Sequence, residues 1–360
     1  MDSQFYNLKE FRTEFNSFVK THTQRIVITS HVSPDDDAIA SVLATFYYIN
    51  NYLEISEDRI KIIISGPKEP RWSYFKNFEK IEFVEDIYKS LVADDLIIVL
   101  DTKELDRITN FPEKIQGLRL KSICIDHHKS DLKEGTTYYK ILSYPEITYT
   151  SNAEALYWLF FHSFRTKLSK EICEILLLGI YGDTGSFTYI TGKGGTSSFI
   201  AAKNLIEAGN IEVESLKSEY SKLKLGSLKV LGILLKNLAE QKIEGWPPFV
   251  VSFIEKTESN KFTDEEYSNG VGIFKRYLNT IEDLDWGFYL RYNRQEKAWG
   301  ISFRAKKGSV NVREIAEHFG GGGHDQAAGG KLEAIKSKKS DFYVEQILEY
   351  LKNNKPTLTK

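Results

Sequence analysis

The chain has 360 residues, a length that points to two or three domains rather than one. Its 48 Lys and Arg are offset by 50 Asp and Glu, a formal net charge of −2, which argues against gripping a long duplex along its phosphates. Hydrophobic residues at 41% and charged residues at 27% exclude a disordered chain, and a core of this size needs neither disulfides nor a structural metal.

In the first 190 residues two periods alternate. RIVITS (25–30), KIIIS (61–65), LIIVL (96–100) and SICI (122–125) are short apolar runs rich in Ile and Val, the pattern of strands buried on both faces of a parallel sheet. Between the first two, residues 38–53 have helical length and pattern. After SICI, Ser151 and Glu154 have capping-box spacing for a helix through about Phe164, and a further helix is expected over 169–181. The fold class is therefore α/β. Residues 211–241 read as charge-laced helix, broken by Gly-Trp-Pro-Pro at 245–248. Beyond it, FVVSFI (249–254), WGFYLRY (286–292) and AWGISFRA (298–305) read as strands, with helices near 262–279, 310–318 and 338–352. The expected organisation is an N-terminal parallel-sheet domain over 1–208, a helical connector over 209–245 and a smaller α+β domain over 246–360.

No run approaches the roughly 18 apolar residues of a membrane span, and MDSQFYNLKEFRTEF lacks the pattern of a signal peptide. Cys124 and Cys173 lie in apolar stretches without CxxC spacing, as expected of buried thiols in a reducing compartment. The expected location is the cytoplasm. The near-zero charge is uneven: residues 286–340 hold 11 Lys and Arg against 5 Asp and Glu.

Three of the expected strands run directly into acids and histidines. RIVITS leads to His31, Asp35, Asp36 and Asp37; LIIVL to Asp101; and SICI to Asp126, His127 and His128. Asp183 follows the 169–181 helix in YGDTGSF, where two glycines would allow a tight turn. In an open α/β sheet these groups converge beyond the carboxyl ends of the strands. PDDD by itself reads more readily as a solvated turn or a helix cap, and Asp101 or Asp183 by itself carries little. Adjacent histidines at a strand end are harder to explain structurally, and four such clusters together are harder still. Carboxylates gathered in one crevice repel each other and resist losing water, and divalent cations remove both problems. Imidazole and carboxylate without thiolate suit Mn²⁺, with Mg²⁺, Fe²⁺ or Co²⁺ as substitutes. The surplus of carboxylates suits two ions about 3.5–4 Å apart, clamping a phosphoryl oxygen.

A second constellation is Gly320-Gly321-Gly322-Gly323-His324, followed by AAGG at 327–330. One glycine ends a helix, so four suggest a backbone nest for a phosphate. His324 would then meet a phosphate or the leaving oxygen. Arg304, ending a strand upstream, is free to bind a phosphate or base, although a lone strand-end arginine is usually just solvated.

HxxPDxD, the strand-end Asp101, DHH, the GDTG turn and GGGGH-x-x-AAG in this order resemble the DHH/DHHA1 phosphoesterase superfamily, and within it the stand-alone NrnA-type enzymes. The resemblance covers a DHH domain over about 1–208 and a DHHA1 domain over about 246–340. It implies hydrolysis of very short oligoribonucleotides, linear dinucleotides or 3′-phosphoadenosine 5′-phosphate by hydroxide attack between two Mn²⁺. His31, Asp35 and Asp101 would hold one ion; Asp37, Asp101, His127 and Asp183 the other. His128 would face the scissile phosphate, with Asp126 orienting its neighbours. Gly320, Gly321, Gly322, Gly323, His324 and Arg304 would bind the rest of the substrate. Partners are then short single-stranded RNA or nucleotides, with no long duplex, no membrane and room for a homodimer. Related readings are a pyrophosphatase or exopolyphosphatase, a longer-strand exonuclease of the RecJ type, or a nucleotide-binding protein without turnover. Asp36, Ala40, Gly182, Thr188, Asp131 and Ala305 depart from the family pattern, which puts substrate preference in question.

Overall fold

An apolar run with no polar face needs cover on both sides, and the first half of the chain supplies it. The computed structural model describes residues 8–66, 68, 72–118, 120–128, 149–163, 168–190, 192, 195–278, 280–294 and 297–359. They divide into two compact units between Ser221 and Lys222.

The first unit runs α1 (Leu8–Thr21), β1 (Ile26–Thr29), α2 (Asp36–Tyr47), β2 (Ile60–Ser65), β3 (Ile81–Val84), β4 (Leu96–Leu100), α3 (Pro112–Gly117), β5 (Lys121–Ile125), α4 (Asn152–Leu156), α5 (Lys170–Asp183), α6 (Thr196–Gly209) and α7 (Val213–Tyr220). Among the described residues the strands form one parallel sheet in the order β3-β2-β1-β4-β5. Ile26, Ile28, Ile62, Ile64, Leu96, Ile98 and Leu100 point into a core shared with α1, α2, α5 and α6. The alternate residues Val27, Ile63, Ile97 and Val99 pack on the other face against Ile87, Leu105, Ile108 and Ile115. The central strand β4, LIIVL, is thus apolar at every position because its period-2 faces both meet a core.

The order in which strands are laid down reverses about β1: β1 to β2 to β3 moves one way across the sheet and β4 to β5 the other. The β1/β4 boundary is the topological switch point at which open α/β sheets place their ligands.

The expected elements are present with some changes. α2 begins at Asp36 and passes into a π-helical turn over Tyr48–Tyr52, and α4 does the same over Tyr157–Phe161. Ser151 caps α4 by accepting from the Glu154 N–H at 3.1 Å. The capping box is only half formed, because buried Glu154 accepts instead from the Thr150 N–H and hydroxyl and from Ser198 of α6. β3, only IEFV, is too short and too polar to read as a strand by pattern. α1 buries Phe11, Phe15 and Val19, spaced four apart on one helical face.

The second unit runs α8 (Leu225–Lys236), β6 (Ala239–Gln241), β7 (Phe249–Ile254), α9 (Lys256–Ser259), α10 (Asp264–Lys275), β8 (Trp286–Asn293), β9 (Ala298–Ala305), α11 (Val312–His318), β10 (Gly322–His324), β11 (Ala327–Glu333) and α12 (Ser340–Asn353). Its described strands form a mixed sheet in the order β10-β11-β9-β8-β7-β6, with only β7–β8 parallel. Trp286, Phe288, Leu290, Trp299, Ile301 and Phe303 pack on one face with α11 and α12. Val250, Ile254 and Tyr289 pack on the other with α8 and α10.

The helical reading of 211–241 needs correction. The helix stops at Tyr220, restarts at Leu225 and gives way to strand β6, which pairs with β7. Ala-Glu-Gln has good helical propensity, and edge pairing to an existing strand overrides it. Both cysteines are free and buried, and no helix of the described residues is long and apolar enough to cross a membrane.

Candidate metal centre

Three strand ends and the end of one helix bring the acids and histidines to the carboxyl edge of the parallel sheet. Ser30, just past β1, donates to the Leu100 carbonyl at 2.7 Å and ties the first loop to β4. Asp35 is the N-cap of α2 and accepts from the Ala38 N–H at 3.0 Å. Asp101 follows β4 at φ 59°, a left-handed conformation that costs a non-glycine residue energy and is typical of functional turns. Asp126, His127 and His128 follow β5. Asp183 is the last residue of α5 rather than a loop residue beyond it, so its carboxylate meets the negative end of a helix. That placement is unfavourable unless a cation is near.

His31 Nε2 lies 3.5 Å from Asp101 Oδ2 and 3.9 Å from Asp35 Oδ2. His127 Nε2 lies 3.1 Å from Asp183 Oδ2, 3.3 Å from Asp101 Oδ1 and 3.9 Å from Asp37 Oδ2. In both rings Nδ1 faces a backbone carbonyl, Val32 at 3.0 Å and Tyr149 at 3.3 Å. Those carbonyls favour a proton on Nδ1 and leave the Nε2 lone pair aimed at the acids. Potential ligand atoms come within 4.8 Å of one another in three sets: His31/Asp35/Asp101, Asp37/His127/Asp183 and Asp101/His127/His128. Asp101 divides its two oxygens between the His31 side and the His127 side, which is the geometry of a bridging carboxylate.

Two atoms at this junction, Asp101 Oδ1 and His127 Nε2, are buried without a hydrogen-bond partner among the described residues. A lone pair facing carboxylates is repulsive unless a proton or a metal ion intervenes. Without an ion, protons fill the role. Burial pulls His127 down, but Asp101 and Asp183 outweigh it and push its pKa up to about 11. Burial pushes Asp101 up, yet His127 and His31 hold it down at about 2. Burial, together with Asp101 and Asp183, raises Asp37 well above the usual carboxylate range. The donor set of nitrogen and oxygen without sulfur fits Mn²⁺, Mg²⁺ or Co²⁺, and an ion there would displace those protons.

His128 differs from its neighbour. Its Nδ1 is 2.7 Å from Asp126 Oδ1 and 3.8 Å from Asp101 Oδ1, so Asp126 engages the nitrogen that could have joined the third set. Asp37, by contrast, has a structural duty as well. Its two oxygens accept from the Asn152 and Ala153 N–H groups at 2.6 and 2.8 Å, at the start of α4.

The departures from the family pattern have physical explanations. Asp36 stands beside Asp35 and Asp37 in sequence but belongs to none of the three sets. It accepts from Trp72 Nε1 at 3.1 Å and from the hydroxyls of Tyr74 and Tyr220 at 2.9 and 2.6 Å. Gly182 lies within α5, not in a tight turn, and a Cβ there would sit 2.7 Å from Asp36 Cβ. Asp36 therefore occupies the space that Thr or Ala would need at 182. Ala40 is matched in the same way by Gly179, whose Cβ would lie 2.7 Å from that of Ala40. Ala305 is buried in the core under α11 and α12, where a serine hydroxyl would lack solvent. Thr188 is exposed beyond the left-handed turn Gly185–Phe187, and Asp131 lies outside the described residues.

The glycine run is largely structural. Gly320 has φ 65° after α11, a Cβ on Gly321 would stand 1.8 Å from the Gly329 carbonyl oxygen, and Gly323 has φ 138° with Ala327 O at 2.6 Å. Only Gly322 has open space and ordinary φ, and it lies in edge strand β10 rather than in an open nest. Arg304 and His324 both register with Ala327 of β11, one from each side, so all three share a sheet face. Arg304 is half-buried, which lowers its pKa, and His324 is exposed.

The sequence matches the description "DHH family, N-terminal domain" over residues 25–180 and "DHHA1 domain" over residues 248–353. The chain belongs to the DHH/DHHA1 family. These are phosphoesterases, and the chain is a hydrolase of that class. A DHH relative in Bacillus subtilis (strain 168), named bifunctional oligoribonuclease and PAP phosphatase NrnA, is 27% identical over 314 residues, 85% of this chain and 89% of its own. The protein of that name in Mycoplasma pneumoniae is 26% identical over 354 residues, 96% and 98% of the two chains. The fold is shared with an exopolyphosphatase-related protein from Bacteroides fragilis, at TM-score 0.74 and 23% identity over 98% of this chain and 99% of that one.

Proposed function

We infer that this DHH enzyme is a Mn²⁺-dependent phosphohydrolase acting on very short oligoribonucleotides, linear dinucleotides and 3′-phosphoadenosine 5′-phosphate. The observation that carries the reading is Asp101, whose two oxygens face two ligand sets and whose buried Oδ1 accepts no hydrogen bond among the described residues. His31, Asp35 and Asp101 would hold one ion, and Asp37, Asp101, His127 and Asp183 the other. Bound there, the two ions would supply Lewis-acid charge and an activated water.

The chain's own residues do the rest. Val32 and Tyr149 carbonyls hold the His31 and His127 rings in register. Asp126 fixes the His128 ring by its Nδ1, so Nε2 is the atom free to stabilise the oxygen on which charge develops. Arg304, His324 and Gly322 share a sheet face suited to phosphate and base contacts. Catalysis would belong to residues 1–208 and substrate contacts to 246–360. The similarity to NrnA proteins along nearly their full length supports this substrate range over a pyrophosphatase.

The test is a Mn²⁺ assay over 3′-phosphoadenosine 5′-phosphate, a linear dinucleotide, a five-residue RNA, a 20-residue RNA and inorganic pyrophosphate. Turnover of the first three, lost on chelation and restored by Mn²⁺, is expected. Asp101→Asn should remove bound Mn²⁺ and activity together while the fold persists. Pyrophosphate cleavage alone, or full activity in Asp101→Asn, refutes the reading.

A further inference from the structure

Lys103 lies two residues beyond Asp101 and is only 7% exposed. Lysine rarely surrenders its water without strong partners. Here Nζ donates to the His128 carbonyl oxygen at 2.7 Å and stands 3.8 Å from Asp126 Oδ2. The other oxygen of Asp126, Oδ1, accepts from both N–H groups of His128, the backbone at 3.2 Å and ring Nδ1 at 2.7 Å. His128 is therefore held at three points: its carbonyl by an ammonium, and its backbone and ring by one carboxylate oxygen. With Nδ1 occupied and the side chain 46% exposed, Nε2 is the part of the ring left to meet a ligand.

Neither Lys103 nor Asp126 belongs to the ligand sets around Asp101. Their contacts run to each other and to His128. Asp126 is buried, and the Lys103 ammonium stands 3.8 Å from its Oδ2 to balance it. Without that ammonium the Asp126 carboxylate would be an uncompensated buried charge, and the 126–128 loop would lose the tether on its last carbonyl.

We propose that Lys103 is a positioning residue for the reaction, clamping the Asp126–His128 pair so that His128 Nε2 faces the substrate phosphate. This rests on the role given to His128 above. It acts through His128 and leaves metal binding alone.

The experiment compares Lys103→Met, Lys103→Gln, His128→Ala and the Lys103→Met/His128→Ala double variant, each as the full chain. Turnover of a linear diadenylate is measured alongside Mn²⁺ stoichiometry by calorimetry. Partners one layer beyond a metal site typically change activity by about 10–100-fold, and kcat should fall by that factor in Lys103→Met, with KM and Mn²⁺ stoichiometry kept. The double variant should be no slower than His128→Ala, because a clamp has no effect once its ring is gone. Lys103→Gln, which keeps a donor for the His128 carbonyl, carries the same comparison if the Met variant does not fold. Wild-type kcat in Lys103→Met, or losses that multiply in the double variant, overturns the proposal. Full activity in His128→Ala instead removes the role of His128 on which it stands.

Discussion

The reciprocal fit of Asp36 and Gly182 can be tested as a coupling energy. A methyl group at 182 would place two carbons 2.7 Å apart, about 1 Å inside the contact distance. Overpacking of this kind costs about 1–3 kcal/mol, and replacing a helical glycine by alanine returns up to about 1 kcal/mol. Gly182→Ala should therefore lower stability by up to about 2 kcal/mol. In an Asp36→Gly background the opposing Cβ is gone, and the same change should stabilise by up to about 1 kcal/mol. In an Asp36→Ala background the Cβ remains, so Gly182→Ala should stay destabilising. Both Asp36 variants also lose the bonds from Trp72, Tyr74 and Tyr220, so only the difference between backgrounds is diagnostic. Urea midpoints at constant slope, followed by tryptophan fluorescence, measure it. An effect of Gly182→Ala that is equal in all three backgrounds, within about 0.5 kcal/mol, refutes the fit.

Other outcomes follow from single sites. Burial pushes the Asp86 carboxyl up, but the Thr109 hydroxyl and the Asn110 and Tyr88 N–H groups outweigh it and hold its pKa below the usual value. A depressed folded pKa contributes stability above the unfolded value of about 3.9 and loses it as pH falls through the folded value. Asp86→Asn should be less stable than wild type at pH 7, with the gap in urea midpoint narrowing below about pH 4; a constant gap rejects the assignment. Gly321→Ala meets a carbonyl oxygen at 1.8 Å and should lower the melting temperature, whereas Gly322→Ala meets nothing within 4 Å and should not. If Gly322 contacts substrate, its variant raises KM at unchanged melting temperature, and an unchanged KM excludes that contact. Titrating metal-free enzyme with Mn²⁺ in weakly buffered solution should release protons, because His127, its pKa pushed up to about 11, holds one in the ion's place.

Much of the first unit was legible in residues 25–125. A strand buried on both faces is apolar along its buried length, so the isoleucines of KIIIS and the whole of LIIVL announced a parallel sheet, and the groups after each strand end announced where the site lies. His31, Asp101 and His127 could be named because strand ends place consecutive residues predictably. Asp183 was legible as a candidate but not as a helix C-terminus, since the helix boundary depends on the left-handed turn at 185–187. The sequence also overstated two features. The glycine run suggested a phosphate nest, while three of its four members answer to backbone geometry. Asp36 counted as one more acid, while its oxygens turn to two tyrosines and a tryptophan far away in the chain.

What the sequence alone determined is therefore the chemistry available: an order of acids and histidines set at strand ends by local periodicity, and the family that order signifies. What only the tertiary structure decided is which of those groups share an ion and which support the frame. Asp35, Asp36 and Asp37 are neighbours on one helix turn, and period 3.6 sends their side chains in three directions. Whether a direction leads to His31, to Tyr220 or to the N-terminus of α4 depends on what packs there. Lys103 is the sharpest case. In sequence it is a charged residue in a turn, and only the closing of the 126–128 loop over it removes its water and gives it a partner.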